Sequence, residues 1–373
     1  MRKKRLLLLV SLPPPMHGSN VINEYVIRNE MLKRRFDLRI LPLRYASSLE
    51  DIGRLRLAKL ITCCRVVFKL GHLLRRFRPD VVYFVPALTG LGFYRECVLV
   101  LILKVFRTRI IYHLHGKGVK ERLSNPVAKE LYKWFFRDAG IIHLSPLLFD
   151  DIGPVVRAEQ VAFLPNGIDV APQSRGSENG REGSSPRILF LANLVVSKGP
   201  LELIDAAKVL KERGVDFVMW FVGNPSRQLS QSRFKAVIAK AGLEDRVSYL
   251  GPKYGAEKGR IMSESDLFVF PTYYERECFP LVLLEAMACG LPIVSTPEGA
   301  IPEIVEDGVT GVLVPPKNSA RLADRIEALL GDGRLLRTMG EAGRRRFRQR
   351  YTLAAFNIAL AGIFDAMCLN GIR

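Results

Sequence analysis

The sequence predicts an α/β protein built from two parallel sheets, each with helices on both faces. Short apolar segments alternate with longer amphipathic segments, an alternation typical of βα units. In the first half the predicted strands are 5–12, 37–43, 80–85, 109–114, 140–144 and 161–164. In the second half they are 187–192, 216–222, 246–250, 267–270, 291–294 and 312–314. A chain of 373 residues that is 48% hydrophobic can bury two cores of ordinary size.

A linker is predicted at 173–186, because this segment is rich in Ser, Gly and charge and contains no apolar side chain. It separates a first domain at 1–172 from a second at 187–350. The segment 351–373 has the apolar periodicity of a helix.

Charge is divided unevenly, with a net charge of +15 in residues 1–170 and +4 in the remainder. A basic surface attracts nucleic acid, anionic lipid or phosphorylated substrates. The segment 54–78 is predicted to be a helix with a basic stripe of Arg54, Arg65, Lys69, His72 and Arg76. The apolar residues expected to lie largely away from that stripe are Leu57, Ile61, Cys64, Phe68 and Leu74. The stripe fits either a solvated face or contact with a membrane surface. The sequence contains no zinc-finger or RNA-binding signature, so a nucleic-acid partner is not expected.

The cysteines, the histidines and the N-terminal segment argue against a disulfide-rich, metal-binding or secreted protein. The six cysteines (63, 64, 97, 278, 289 and 368) have no C-x-x-C spacing and are predicted to be reduced, buried thiols of a cytoplasmic protein. His113 and His115 form the one close histidine pair, but no carboxylate-rich motif completes a metal site. The run 6–12 follows basic residues as in a signal peptide, yet prolines follow directly and a first buried strand is favoured. No segment is long and apolar enough to predict a membrane span.

Two glutamates, Glu277 and Glu285, lie eight positions apart around a predicted strand–loop–helix. The strand is 267–270, and the helix follows Pro280, which is suited to the first helical position, and stops at Gly290. Ligands of open α/β folds bind at the carboxyl ends of such strands, and a helix N-terminus there favours a phosphate. Glu285 can accept hydrogen bonds from a ribose. Spacing alone leaves open that Glu277 is a loop charge and Glu285 a solvated helix residue.

This stretch resembles the E-x7-E signature of the retaining nucleotide-sugar glycosyltransferases of family 4. The likeness continues through TPEGAIPEIVEDGVTGVLVP at 296–315, and further matches are PNGID at 165–169, SKG at 197–199 and PPPMHG at 13–18. It covers nearly the whole chain and is strongest after residue 187. The resemblance implies the GT-B fold, in which two Rossmann-like domains face an interdomain cleft and a terminal helix crosses back to the first domain.

The resemblance also implies roles for individual residues. Glu285 would bind the ribose hydroxyls, Lys198 the diphosphate and Glu277 the hydroxyls of the transferred sugar. The backbone around Phe279, Leu281 and Val282 would contact sugar and phosphate. In the first domain, Gly18 and Ser19 match the turn that approaches the phosphate, and His115 matches the histidine near the anomeric carbon. The catalytic set implied is His115, Glu277 and Lys198.

A metal and a cofactor are not expected, since the chain has no Asp-x-Asp pair to hold Mn²⁺ or Mg²⁺. The substrate implied is a UDP- or GDP-linked sugar. The acceptor would be a saccharide or lipid-linked molecule of surface polysaccharide synthesis, reached from an anionic membrane face. Three positions depart from the family pattern: Ala192 and Asn193 replace Gly-Arg, Pro280 replaces a Gly, and Gly18 is followed by Ser19.

One competing motif and two alternative functions bear on this assignment. GLGFYR at 90–95 begins like a dinucleotide fingerprint, but Arg95 replaces the third glycine and no acidic residue follows near 112, so a dehydrogenase is not expected. A nucleotide-sugar 2-epimerase shares the GT-B architecture. A catalytically inactive, basic protein that binds membranes or nucleic acid is a further alternative, favoured by the missing arginine.

Overall fold

The protein, as a computed structural model, is described for residues 2–12, 18–43, 57–170 and 185–369. The chain forms two compact units, one of Met1–Gly167 with Leu353–Arg373 and the other of Ile168–Thr352. Each unit contains one six-stranded sheet with parallel pairing throughout. The predicted class of two parallel sheets is therefore confirmed. The predicted linker lies outside the described residues except for 185 and 186, and so do residues 13–17 of the N-terminal motif.

The first unit has the strand order β2-β1-β3-β4-β5-β6. Its strands are β1 Lys4–Val10, β2 Phe36–Pro42, β3 Val81–Phe84, β4 Arg109–Leu114, β5 Gly140–His143 and β6 Val161–Phe163. Its helices are α1 Gly18–Arg28, α2 Glu30–Arg35, α3 Leu57–Arg76, α4 Gly90–Val105 and α5 Pro126–Phe136, and, at the end of the chain, the helix Leu353–Leu369.

The second unit has the strand order β12-β11-β10-β7-β8-β9. Its strands are β7 Arg187–Leu191, β8 Val218–Val222, β9 Val247–Gly251, β10 Leu267–Phe270, β11 Ile293–Ser295 and β12 Gly311–Leu313. Its helices are α6 Pro200–Glu212, α7 Gln231–Lys240, α8 Gly255–Ser263, α9 Leu281–Ala288, α10 Ile301–Ile304, α11 Ser319–Leu330 and α12 Gly333–Arg350. The terminal helix Leu353–Leu369 is named α13. All twelve predicted strands are confirmed within a few residues.

Apolar runs become central strands because helices cover both faces of each sheet. In β1 the side chains from Leu6 to Val10 have no exposed area, as expected of a strand buried on both faces. The predicted first strand is therefore present. None of the helices in the described parts of the chain has the length and apolarity needed to cross a bilayer.

Each sheet has a point where the direction of strand addition reverses. In the first unit this point lies between β1 and β3, and in the second between β7 and β10. The connections leaving two such strands run to opposite sides, which opens a crevice at their carboxyl ends. The predicted site residues Lys198 and Glu277 follow β7 and β10, so the strand order brings their loops together.

The terminal helix α13 packs within the first unit. Phe364 is fully buried, with its ring 5.7 Å from that of Phe36 and 5.8 Å from that of Tyr83, measured between centroids. Arg35 forms an ion pair with Asp365. Residues from β2, β3 and α2 thus hold α13, and its apolar periodicity is explained by this burial.

The buried face of helix α3 differs from the apolar face predicted from the sequence. Among its side chains at 61–76, the ones that the structure describes, Val66, Leu70 and Leu74 are buried, whereas Ile61 and Phe68 are 48% and 78% exposed. Cys64 is exposed as well, which also corrects its prediction as a buried thiol. The helix contacts β2 and α4 over a narrow arc, so apolar residues outside that arc remain in solvent. Arg54 lies outside the described residues.

The remaining cysteines are free thiols. Cys278, Cys289 and Cys368 are buried as predicted, while Cys63 and Cys97 are half-buried. Burial raises the pKa of the Cys289 thiol to about 11, so this group stays protonated and unreactive at neutral pH.

Replacing Phe364 by Ala should destabilise the first unit by about 3–5 kcal/mol, because a fully buried ring that packs against residues of β2 and β3 is removed. The matched control is Ile358→Ala on the same helix, whose side chain is 61% exposed and whose loss should cost no more than about 0.5 kcal/mol. A Trp220→Phe background leaves Trp134 as the single tryptophan, so urea unfolding followed by fluorescence reports on the first unit. Equal effects of the two substitutions would contradict this packing.

Candidate functional site: a lysine–glutamate crevice in the second unit

The crevice between β7 and β10 brings together two residues that are 79 positions apart. Lys198 and Glu277 form an ion pair through the lysine ammonium and Glu277 Oε2. Glu277 is 7% exposed, so it is a buried, paired carboxylate and not a solvated loop charge. The Lys198 ammonium also lies 5.4 Å from the ring centroid of Phe270 and 4.8 Å from that of Tyr274. The aromatic rings and the carboxylate fix the position of this cation.

Hydrogen bonds hold the two loops that carry this pair. The Tyr273 N–H donates to the Ser197 carbonyl at 2.8 Å, and the Glu277 N–H donates to the Tyr274 carbonyl at 2.7 Å. Lys198 ends a short 3-10 turn, and Gly199 caps the start of α6 with Pro200 at its first position. Lys198 therefore lies directly before the start of a helix.

Two glycines permit the loops to approach each other. Gly199 has φ +85°, and a Cβ there would lie 2.2 Å from the Pro271 carbonyl oxygen. Gly299 has φ +57°, and a Cβ there would lie 2.1 Å from the Glu277 carbonyl oxygen. Any side chain at these two positions would push apart the segments that carry Lys198 and Glu277. Gly299 belongs to the segment after β11, so this segment packs directly against the loop that carries Glu277. This close packing explains why the 296–315 motif has a glycine at position 299.

Helix α9 exposes one narrow face. Its N-cap is Pro280, so the helix starts one residue later than predicted, and Gly290 follows its end with φ +71°. Leu281, Val282 and Glu285 are half-exposed. The buried residues lie on the other sides of the helix and are Leu283, Leu284, Ala286 and Met287. At 100° per residue these three residues share an arc of about 100°. They are the α9 residues predicted to face a donor, and Phe279, just before the helix, is buried at 5% exposure.

Glu285 is held by a lysine that the sequence analysis missed. Lys258 Nζ on α8 lies 2.8 Å from Glu285 Oε1. Glu285 Oε2 is buried and has no hydrogen-bond partner within the described residues, so the hydrogen-bonding capacity of this oxygen is unfilled. Lys258 is 27 positions before Glu285 and belongs to no recognisable sequence motif. The one signal in the sequence is its position as the fourth residue of α8, a helix that follows the loop at 251–254.

Asn193 occupies the position where the resemblance leads one to expect an arginine. Its side-chain oxygen accepts hydrogen bonds from the Asn224 N–H at 3.3 Å and from Asn224 Nδ2 at 3.2 Å. Asn224 Nδ2 also lies 2.9 Å from the Tyr254 hydroxyl. This amide network links the loops after β7, β8 and β9, and it supplies hydrogen-bonding groups where a charge was expected.

The predicted residues of the first unit lie at the carboxyl edge of their own sheet. Gly18 and Ser19 begin α1, which follows β1, and His115 follows β4 directly. The rings of His113 and His115 are 4.1 Å apart, and His113 Nδ1 lies 2.6 Å from the Tyr83 hydroxyl. Burial holds the pKa of His113 well below its usual range, so this imidazole is neutral at physiological pH.

The loop after His115 is fixed by a buried carboxylate. Asp151 accepts hydrogen bonds from the N–H groups of Gly118, Val119 and Lys120 at 3.0–3.2 Å.

Among the described residues, no group of three or more His, Cys, Asp or Glu side chains could hold a metal ion.

Comparison with known proteins agrees with this geometry. Residues 175–346 match the family model described as glycosyl transferases group 1, a range that includes Lys198, Glu277 and Glu285. This range, somewhat under half of the chain, is a glycosyl transferases group 1 domain. The resemblance and the glycosyltransferase activity predicted from the sequence agree with this match.

Two curated relatives show how far this similarity extends. The glycosyltransferase is 28% identical over 276 residues to alpha-D-kanosaminyltransferase of Streptomyces kanamyceticus, covering 71% of this chain and 70% of that protein. It is 29% identical over 308 residues to the putative colanic acid biosynthesis glycosyltransferase WcaL of Escherichia coli K12, covering 80% and 73%.

Solved structures share the fold of this glycosyltransferase. Sucrose-phosphate synthase from Thermosynechococcus elongatus has a TM-score of 0.75 at 20% identity, covering 98% of this chain and 99% of that one. Anabaena Alr3699/HepE in complex with UDP has a TM-score of 0.74 at 22% identity, covering 97% and 100%. At these identities the likeness establishes the GT-B fold.

Gly299→Ala should destabilise the second unit more than Gly308→Ala, although both positions have positive φ, at +57° and +76°. A Cβ at Gly308 meets no heavy atom within 4 Å, so that change costs only the backbone strain, about 1 kcal/mol. The clash with Glu277 should add about 1–3 kcal/mol. Urea unfolding in a Trp134→Phe background, with Trp220 as reporter, measures the difference. Equal losses would show that Gly299 does not support the carboxylate loop.

Proposed function

We propose that this glycosyltransferase transfers a sugar, with retention of configuration, from a UDP- or GDP-linked donor without a metal ion. The observation that carries the proposal is the pair of lysine-held carboxylates, Lys198 with Glu277 and Lys258 with Glu285. One pair lies at the reversal point of the sheet, and the other lies on the half-exposed arc of α9. This arrangement supplies two hydroxyl acceptors and two ammonium groups to one ligand.

In this proposal each of these groups binds the part of the donor that its charge favours. Lys198 neutralises the diphosphate, aided by the N-terminal end of α9 and the backbone from Phe279 to Val282. Glu285 accepts hydrogen bonds from the ribose hydroxyls, and its unpartnered Oε2 supports this role. Glu277 accepts hydrogen bonds from the sugar. When the diphosphate attracts Lys198, Glu277 exchanges part of its ion pair for the sugar hydroxyls.

Catalysis would be chiefly electrostatic. Departure of the diphosphate leaves an oxocarbenium-like sugar, and fixed cations stabilise the charge that develops on the leaving group. In a same-face displacement the departing phosphate accepts the proton of the acceptor hydroxyl, so a site with few free bases suffices.

The acceptor would be a lipid-linked molecule or a saccharide used in building a surface polysaccharide. Relatives named for colanic acid and amylovoran biosynthesis support this class of product. The net charge of +15 in residues 1–170 supports docking of the first unit on the anionic cytoplasmic face of a membrane. Nucleic acid is not proposed as a partner.

The two glutamates should differ when replaced by Ala. Glu285→Ala should weaken binding of UDP or GDP by roughly 10- to 150-fold, since a hydrogen bond to a charged group contributes about 1.5–3 kcal/mol. Glu277→Ala should leave nucleotide affinity nearly unchanged and reduce turnover, because it would contact only the sugar. Isothermal titration calorimetry with UDP and GDP, together with transfer assays, provides both measurements.

Two controls sharpen this comparison. Glu275→Ala removes an exposed carboxylate from the same loop as Glu277 and should change neither quantity. Lys258→Met breaks the ion pair but keeps Glu285, so it separates loss of the pair from loss of the ribose contact. Equal losses of nucleotide binding in Glu277→Ala and Glu285→Ala would contradict the assigned roles.

Sugar transfer should persist in excess EDTA, because the lysines neutralise the diphosphate in place of a divalent ion. Transfer is measured by release of the nucleoside diphosphate with and without acceptor, before and after chelation. Direct measurement of nucleotide-sugar consumption without acceptor distinguishes an epimerase from a transferase, because only the transferase needs the acceptor. Activity that disappears with EDTA and returns with Mn²⁺ or Mg²⁺ would overturn metal independence.

A further inference from the structure

Helix α4 exposes an apolar stripe that no part of the described chain covers. Leu91, Tyr94, Val98, Leu101 and Val105 are 53%, 59%, 45%, 54% and 71% exposed. Their spacing of three or four residues puts them within an arc of about 80° on the helix. The opposite side of α4 enters the core through Phe93, Leu99, Val100 and Leu103. An exposed apolar stripe of this length is unusual for a protein surface that faces only water.

Helix α3 adds apolar residues beside this stripe. Ile61 and Phe68 are exposed, and with Cys64, Arg65 and Lys69 they line a shallow depression. At 100° per residue, Ile61 and Phe68 lie within about 40° of Arg75. The Arg75 guanidinium lies 5.7 Å from the ring centroid of Phe106 at the end of α4. The apolar residues of α3 therefore face the α4 side, and the stripe of Arg65, Lys69, His72 and Arg76 lies beyond them.

The exposed charges on helices α3 and α4 themselves are all positive. Helix α3 contains no Asp or Glu in its sequence, and the single carboxylate of α4 is Glu96, which is 2% exposed and paired with Arg95. Two such basic surfaces would repel each other, which disfavours a second copy of the chain as the occupant. An anionic lipid surface complements both features, with headgroups for the basic stripe and acyl chains for the apolar residues.

We propose that α3 and α4 together form a membrane-insertion surface, with the α4 stripe entering the boundary between headgroups and acyl chains of an anionic bilayer. The inference rests on the membrane-associated acceptor proposed above and deepens it, because attraction to the headgroups alone would leave the α4 stripe in water. Insertion would be partial, since neither helix meets the length and apolarity needed to span a bilayer. The basic stripe would provide attraction at a distance, and the apolar stripe would provide binding that resists salt.

Depth of insertion is measured with Tyr94→Trp as a probe. Vesicles of phosphatidylglycerol and phosphatidylcholine, with bromine on the acyl chains, should quench its fluorescence and shift its emission to shorter wavelengths. The matched control is Val309→Trp, at a 46% exposed position of the second unit, which should show neither change. The wild-type protein corrects for Trp134 and Trp220. Absence of quenching in Tyr94→Trp on vesicles that bind the protein would overturn insertion.

Two sets of variants separate the apolar and basic contributions. Leu101→Glu with Val105→Glu should lower vesicle binding by about 100-fold at both low and high salt, measured by co-sedimentation. Arg65→Gln, Lys69→Gln and Arg76→Gln together should lower it at low salt and have little effect at high salt, where charge is screened. Because the Leu101 and Val105 side chains are exposed, these changes should leave the unfolding transition unchanged. Unchanged vesicle binding by the Leu101/Val105 variant would overturn the proposal.

Two further measurements keep this test independent of the donor chemistry. UDP and GDP binding, measured by calorimetry without vesicles, should be equal in wild type and all surface variants. Normal nucleotide binding with no vesicle binding would refute the membrane surface alone. Light scattering of the wild type tests the other occupant: a dimer that Leu101→Glu with Val105→Glu dissociates, together with no binding to vesicles, would assign this surface to a second copy of the chain.

Discussion

The ion pair between Lys198 and Glu277 depends on one topological constraint, the adjacency of β7 and β10 in a parallel sheet. Strands β8 and β9 are added on one side of β7, and β10 returns to its other side. Because all strands are parallel, the loops after β7 and β10 leave the same edge with no helix between them. A lysine and a glutamate 79 positions apart are therefore placed in contact, and the rest of the site is built around that contact.

Close packing of loops then keeps these charges in place. Gly199 lies against Pro271, and Gly299 lies against Glu277, so the three segments that form the crevice touch through their backbones. Such contacts restrict the backbone that carries this partly buried pair, so the two side chains start from a defined position when a substrate binds. The second pair, Lys258 with Glu285, is positioned in a different way. Glu285 lies on the one half-exposed arc of α9, a helix that is otherwise apolar and buried.

The two units divide their surface properties. The second unit has nearly balanced charge and pairs Glu277 and Glu285 with lysines. Residues 1–170 contain most of the net positive charge, and helices α3 and α4 expose apolar side chains without an exposed carboxylate. A glycosyltransferase whose donor is a soluble nucleotide and whose acceptor is amphiphilic would need these two kinds of surface. In this chain they occur on separate units.

Local patterns in the sequence determined the secondary structure: apolar runs became β1 through β12, and Gly-Pro at 199–200 opened α6. Resemblance to a family identified Lys198, Glu277 and Glu285, but no periodicity showed that Lys198 contacts Glu277 or that Lys258 holds Glu285. Such pairs depend on strand order, which is a property of the whole sheet. The exposure of Ile61 and Phe68 was also decided by tertiary structure, because the arc of a helix that its neighbours cover is set by packing and not by its own sequence.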